Sequence, residues 1–421
     1  PIFGFVCGGD REKTYLCGNA KNRTKMNISE IKPGIRYVGV NDRTTTRFEG
    51  LWSLPYGVSY NSYLLLGDKV ALMDTVEESF GSRFLQNIER ELDGRTIDYL
   101  IVNHMEPDHS SSVQMLRRVY PDMRIVGNAK TLQMLAGYYG IADNTLEVKE
   151  GDTLDLGGGL SLAFYFAPMV HWPEVMVSYC PEHRTLFSAD AFGTFGTLDG
   201  GITDSQVRLD HYWDEMRRYY ACIVGKYGVP VQKALAKLGT LPIETICSTH
   251  GPVWQREIPR VLDIYDRLSR YAGERGVVLA YGSMYGNTEQ LADEIARALA
   301  AQGVGPITVY NLSTADISHV LRDVFRYDTL IVGSPTYNGE LFPEVEGLLQ
   351  KLAARNIPQR NFACFGSYTW AGAAVKKLQA FAEQMKWNTP CSAVEMKQGY
   401  SHAACAESCR RLAGEVAAML K

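Results

Sequence analysis

The sequence predicts an α/β protein in two successive units: a sandwich of two sheets covered by helices, then a doubly wound parallel sheet. Three observations point there. The chain has 421 residues, enough for two or three domains, each with its own core. Over residues 35–253, short apolar runs rich in β-branched residues recur with turn residues between them. Past Gly276 the pattern becomes a strict alternation of buried strand and amphipathic helix.

In the first unit, strands are expected over residues 35–40, 62–66, 70–74, 99–102, 160–166, 175–179 and 185–188. Few Lys or Glu interrupt these runs. Helical spacing of apolar residues appears over 80–92, 210–226 and 258–271. A boundary is expected at 273–276, between two glycines. Beyond it, strands are expected over 277–280, 307–310, 329–332 and 362–365, and helices over 289–301, 345–354, 373–385 and 405–420. Such a repeat places a ligand at the C-terminal ends of the strands. Residues 1–24 lack strand or helix periodicity, so residues 1–31 are read as an N-terminal extension to which no role is assigned. It carries Cys7 and Cys17.

Composition narrows the classes of function. Apolar residues are 46% and charged residues 21%, the balance of a globular chain rather than a disordered one. Lys and Arg total 43 against 47 Asp and Glu, a net charge of −4, which offers no attraction to nucleic acid or anionic membrane. No apolar run approaches the ~20 residues that span a bilayer. Asp10, Arg11 and Glu12 stand where a signal peptide would be apolar, so the cytoplasm is expected. Nine cysteines, an odd count in a long chain, argue against a disulfide scaffold. No Cys-x-x-Cys pair occurs, which excludes a rubredoxin-type iron centre or zinc ribbon on these residues. Cys405 and Cys409, one helical turn apart, read as a helix face.

Three loops of the second unit follow strands directly and are rich in Gly, Ser, Thr and aromatic residues. They are Ser283-Met284-Tyr285-Gly286-Asn287-Thr288, Ser334-Pro335-Thr336-Tyr337-Asn338-Gly339 and Ser367-Tyr368-Thr369-Trp370-Ala371-Gly372. The first opens a helix, where hydroxyls and unpaired N–H groups suit a phosphate. It lacks the Lys of a nucleoside-triphosphate loop. Tyr337 and Trp370 offer flat faces to an aromatic ring. Taken singly each loop is a surface turn; three after successive strands are far more specific. Residues from about 276 to 421 thus resemble a flavodoxin. The resemblance implies FMN, with its phosphate on Ser283–Thr288 and its ring between the other two loops. Nothing in the sequence provides for the adenosine half of FAD.

The first unit carries His104-Met105-Glu106-Pro107-Asp108-His109 after a strand. Pro107 forces Glu106 out of the helical region, so the segment is expected to start extended, with His104, Glu106 and Asp108 on one side and His109 turned elsewhere. Four ionisable groups in six residues are hard to explain as a solvated loop. His171, Asp190 and His250 also stand at strand ends or turns, each alone more often a satisfied polar residue than a ligand. Asp190 has two oxygens with which to bridge two cations.

This order resembles the metallo-β-lactamase fold, an αββα sandwich, over about residues 32–270. Its hydrolases usually carry His-x-His-x-Asp-His and zinc. Here Glu106 stands in place of the second His, and a carboxylate there suits iron better. A domain of this kind over 32–272 and a flavodoxin-like domain over 273–421 together resemble the flavodiiron proteins. That resemblance implies one iron on His104, Glu106 and His171, a second on Asp108, His109 and His250, and Asp190 between them. It further implies reduction of dioxygen to water or of nitric oxide to nitrous oxide, with electrons passing through FMN. A separate donor such as rubredoxin or a reductase, or a soluble deazaflavin, is implied, as is a head-to-tail homodimer or a dimer of dimers. His183, His211, His319 and His402 are read as surface or packing residues, with the proximity of His211 to the site left open. Two other classes compete. A lactamase-fold hydrolase with an appended flavodoxin is disfavoured by Glu106 and the missing loop His. A non-enzymatic electron carrier is disfavoured by the complete set of seven ligands.

Overall fold

The computed structural model describes residues 29–399 and 402–420, so Cys7, Cys17 and most of the N-terminal extension lie outside the described residues. The first unit is a pair of sheets. One has seven strands, in the order Glu30–Lys32, Ile35–Tyr37, Tyr63–Leu66, Val70–Met73, Tyr99–Ile101, Arg124–Gly127 and Thr145–Glu147. The sheet thus takes in Glu30 and Ile31. The other has five, Thr153–Gly157, Leu160–Phe166, Met176–Cys180, Thr185–Phe187 and Thr245–Cys247.

Alternation of side chains explains why two sheets form. Leu64, Leu72 and Leu100 turn outward and share a core with Phe84 and Ile88 of helix Gly81–Leu92 and with Leu116 of helix Val113–Val119. Their neighbours Leu65, Ala71, Met73 and Ile101 turn inward and meet Leu162, Phe164, Met176 and Phe187 of the second sheet. A strand buried on both faces reads as a continuous apolar run, which is why these runs are so clean in the sequence. Each such leucine contributes about 2 kcal/mol by its burial. Helices Gly228–Leu238 and Ile258–Ser269 cover the far side of the second sheet.

The second unit is a five-stranded sheet in the order Ile307–Asn311, Glu274–Tyr281, Tyr327–Pro335, Asn361–Tyr368, Val394–Lys397, with every pairing parallel. This is the 2-1-3-4-5 order of flavodoxin-like sheets. Helices Asn287–Ala301 and His402–Met419 cover one face; Ile317–Arg326, Pro343–Arg355 and Ala374–Gln384 cover the other. Helix Ile317–Arg326 and strand Val394–Lys397 are absent from the sequence reading. The helix is required nonetheless, because parallel strands need a crossover. Asp316 caps it, accepting from the Ser318 N–H at 2.8 Å.

A single helix over 210–226 is not what forms. An α-helix runs Tyr212–Tyr219, then a π-helical turn Tyr220–Val224 and a 3-10 turn Gly225–Tyr227 lead into helix Gly228–Leu238. Packing against the second unit and against helix Ile258–Ser269 is the reason. A Cβ on Gly225 would lie 2.6 Å from the Phe325 ring, and one on Gly228 would lie 2.3 Å from the Ser269 carbonyl oxygen. Across this junction Arg355 donates to the carbonyls of Ala221 (2.6 Å) and Cys222 (2.9 Å) inside the π turn. Buried Arg360 donates to the carbonyls of Tyr271, Val324 and Phe325. One continuous core, with Tyr220, Tyr265 and Phe325 in it, joins the two units.

Candidate metal centre and flavin pocket

Strand Tyr99–Ile101 delivers Asn103 and His104 to the buried Asp74 carboxylate, which accepts both backbone N–H groups at 2.7 and 3.2 Å. Glu106 follows with φ −57 and ψ 138, as a residue before proline must, and Pro107 starts the short helix Pro107–Ser110. The segment starts extended as expected, but the placing of Asp108 on one side with His104 and Glu106 is corrected. Because Asp108 lies inside the helical turn, it leaves the side of His104 and Glu106 and stands with His109 instead.

Two groups of donors result. His104, Glu106, His171 and Asp190 each offer an atom within 4.8 Å of the others; so do Asp108, His109 and His250. In the first group, the Glu106 Oε2 lies 3.3 Å from the His104 Nε2 and 3.0 Å from the His171 Nε2. In the second, the Asp108 Oδ2 lies 3.2 Å from the His109 Nε2 and 3.3 Å from the His250 Nε2. Asp190 faces both. Its Oδ2 is 3.2 Å from the His171 Nε2 and its Oδ1 is 3.1 Å from the His109 Nε2. All seven sequence-predicted residues are therefore brought together from four separate loops. His211 is not among them; its ring lies against Tyr56 and Tyr212.

The rings are aimed by groups the sequence reading did not find. The Nδ1–H of His104 donates to Glu174 Oε1 at 2.8 Å, and that of His250 donates to the Ser59 carbonyl at 2.8 Å. Each bond leaves the Nε2 lone pair pointing into the cluster. Thr249 Oγ1 donates to the Asp190 Oδ1 at 2.5 Å. Glu49, held by the Trp52 Nε1–H at 3.0 Å, turns its carboxyl toward Glu106. Burial and the facing Glu106 push that carboxyl up to about 7. No sequence signal distinguishes these four from other polar residues.

Electrostatics show what the cluster lacks. Burial opposes charge on the imidazoles, yet Asp190 lifts His104 well above its ordinary value. Asp108 and Asp190 lift His109 to about 10, and hydrogen bonds with Asp190 and Glu106 lift His171 to about 9. Burial likewise opposes charge on Asp190, but His109 and His104 hold it well below the usual carboxylate range. The carboxylates thus demand positive charge. The two buried Asp108 oxygens have no hydrogen bond, and the Nε2 atoms of His109 and His250 face each other at 3.0 Å. As a donor set, three carboxylates and four imidazoles fit two divalent cations, which would take the place of the protons.

At the C-terminal end of the second unit's sheet, a cavity of about 420 Å³ is lined by all three predicted loops. From the first loop come Ser283, Met284, Tyr285, Asn287 and Thr288, with Asn287 starting the helix. From the second come Pro335, Thr336, Tyr337, Asn338 and Gly339, and from the third Ser367, Tyr368, Thr369, Trp370 and Ala371. Gln398 joins them unforeseen. Three predicted residues do not line it. Gly286 takes φ +88 as the N-cap of the helix, a conformation L side chains rarely adopt. Ser334 is buried behind its loop, accepting the Phe342 N–H at 3.0 Å. Gly372 lets Glu395 and Tyr368 approach, since a Cβ would lie 2.6 Å from the Glu395 carboxylate. Trp370 is 86% exposed and Tyr285 91%, so the aromatic rim stands free in the single chain.

A two-sheet sandwich with a paired donor site, followed by a flavodoxin fold, defines the class. Residues 58–251 match the model of the ODP family beta lactamases, and residues 279–411 match that of the flavodoxins. The chain is 32% identical to the anaerobic nitric oxide reductase flavorubredoxin of Vibrio vulnificus, over 83% of this chain and 72% of that one. It is likewise 32% identical to that of Escherichia coli, over 83% and 74%. Among solved structures, the rubredoxin oxygen:oxidoreductase of Desulfovibrio gigas superposes with a TM-score of 0.88 at 28% identity, covering 93% of this chain and 98% of that one. The flavodiiron protein of Giardia intestinalis gives 0.88 at 25%, covering 93% and 97%. The chain belongs to the flavodiiron proteins. It is an oxidoreductase.

Proposed function

We propose that this chain reduces nitric oxide to nitrous oxide, dioxygen to water, or both, at two irons, with electrons passing through FMN. The observation that carries this reading is Asp190, which presents one oxygen to each of two donor groups. Relatives named for nitric oxide reduction and a structural neighbour named for oxygen reduction support the two substrates. His104, Glu106 and His171 would hold one iron and Asp108, His109 and His250 the other, with Asp190 offering an oxygen to each group. Glu106 favours iron over zinc. Loops Ser283–Thr288, 334–339 and 367–372 would hold FMN, the first taking its phosphate and the other two its ring.

Two ferrous ions and a reduced flavin hold four electrons, the number dioxygen needs to become water and enough for coupling two nitric oxide molecules. The chain's own residues do the positioning. Glu174 and the Ser59 carbonyl fix two imidazoles by their Nδ1–H groups, so the facing nitrogens need no reorganisation. Phe48 and Tyr219 crowd the His250 ring with aromatic surface and keep the site poor in water.

We assign the diiron domain to residues 30–272, starting before residue 32 because strand Glu30–Lys32 belongs to its sheet, and the FMN domain to 273–421. The assembly is a head-to-tail homodimer, or a dimer of dimers, in which one chain's flavin faces its partner's irons. Electrons come from a separate protein such as rubredoxin, in the cytoplasm; among the described residues no helix is long and apolar enough to cross a membrane. Elemental analysis of protein from iron-supplied cells tests the reading first. Iron and flavin present, with gas consumed by the reduced protein, is the expected outcome; zinc dominant despite abundant iron would bring the hydrolase forward. Sedimentation then tests assembly, and a fully active monomer would remove the head-to-tail arrangement.

A further inference from the structure

Two adjoining apolar cavities lie between the second sheet and helices Gly228–Leu238 and Ile258–Ser269. The outer one, about 280 Å³, is walled by Leu186, Leu241, Ile246, Ile258 and Leu262, with Asp266 the one charged residue that lines it and Leu262 39% exposed at the surface. The inner one is a narrow space of about 10 Å³ walled by Ala167, Val170, Val177, Val231, Ala234 and Tyr265. Phe192, Leu235 and Leu238 line both, so the spaces share a wall of three side chains. The inner space ends behind the metal centre. Val170 precedes His171, Ala191 follows Asp190, and both line it. Tyr265 lies close enough to Asp190 for that carboxylate, after burial, to raise its hydroxyl.

Water gains little here. A buried water needs two to four polar partners; the Ser188 hydroxyl on this wall is already spent on the Ala191 carbonyl at 2.7 Å, which leaves the unpaired Tyr265 hydroxyl as a single side-chain partner. An uncharged diatomic gas has no hydrogen bonds to lose on leaving water, and apolar cavities of this kind stay dry and take up xenon. The cluster's other side, where Glu49 faces Glu106, is polar.

We propose that the two cavities form an apolar entry path that admits small uncharged gases to the His171–Asp190 side of the metal centre. The path rests on the reductase reading for its physiological passenger, not for its existence. It leaves the polar face free to meet the flavin domain of a second copy while gas arrives from behind.

Xenon-pressurised crystals and gas kinetics of the holoprotein test it together. Wild-type protein is expected to hold xenon in both cavities. Ala234→Phe fills the inner space; it should expel xenon there and lower kcat/KM for limiting nitric oxide or dioxygen by about threefold or more, with kcat at saturating gas retained. Leu235→Phe, at the wall shared by both cavities, gives a second reading should the first variant fold poorly. Ala236→Phe, on the exposed side of the same helix, should change neither quantity. An inner cavity without xenon overturns the path, and so does xenon lost from Ala234→Phe with kcat/KM unchanged. Xenon bound in a wild-type holoprotein that consumes neither gas supports the cavity and overturns the reductase reading instead.

Discussion

Glu106 is a carboxylate on a loop where hydrolases of the same fold present an imidazole, and the consequence is charge. With Asp108 and Asp190 it brings three carboxylates against four imidazoles, a set harder than one built on nitrogen alone. Glu106→His removes one of those charges, and the zinc-to-iron ratio of purified protein, measured by elemental analysis, is expected to rise. Glu174 acts one bond further out, holding the His104 ring by its Nδ1–H. Glu174→Gln weakens that grip and leaves the seven donors in place. Metal affinity by chelator competition is expected to fall roughly 10–100-fold, as for other partners of ligating imidazoles.

Among the elements, helix Ile317–Arg326 depends on its cap. Burial pushes the Asp316 carboxyl up, but hydrogen bonds from Ser318 and Ser53 outweigh it and hold it below its ordinary 3.8. A carboxyl lowered on folding contributes stability above pH 3.8 that is lost as pH falls through the lower folded value. Asp316→Ala is therefore expected to cost about 1 kcal/mol at neutral pH, and chemical denaturation should show the difference from wild type shrinking in acid. The signal for this element is present in the sequence, with Ile317, Val320, Leu321 and Val324 at helical spacing, yet it is not among the helices expected from the sequence. The helix over 210–226 was read too simply, because the break at Gly225 answers to Phe325, a hundred residues away in the chain.

At the scale of the whole molecule, fully buried Arg218 ties the units together. It donates to the Ser53 carbonyl at 2.8 Å and the Ser318 hydroxyl at 3.0 Å, pairs with buried Glu215, and lies over the Phe195 ring. Arg218→Ala leaves Glu215 charged and unpaired in the interior, a loss of about 3–5 kcal/mol in denaturant titrations. Replacing both residues by apolar ones of similar size should cost less, since no buried charge is stranded.

The sequence by itself determined the two folds and the seven candidate ligands. Strand runs, crossover periodicity and the loop residues that follow each strand are local, and local patterns survive in one dimension. It also picks out the three loops that line the second unit's cavity, although Gly286, Ser334 and Gly372 support that cavity rather than line it and Gln398 is added by the fold. Tertiary structure supplies the physical reason for the division of the seven candidates, which the family resemblance implies. The helical turn at Pro107 sends Asp108 to the side of His109, and Asp190 comes between the groups only when the strand ends converge. It alone supplied Glu174, 70 residues from His104, and Ser59, 191 residues from His250. It alone opened the apolar cavities behind Asp190. Hydrogen bonds and voids between distant segments have no periodicity to betray them, because they exist only once the segments are packed.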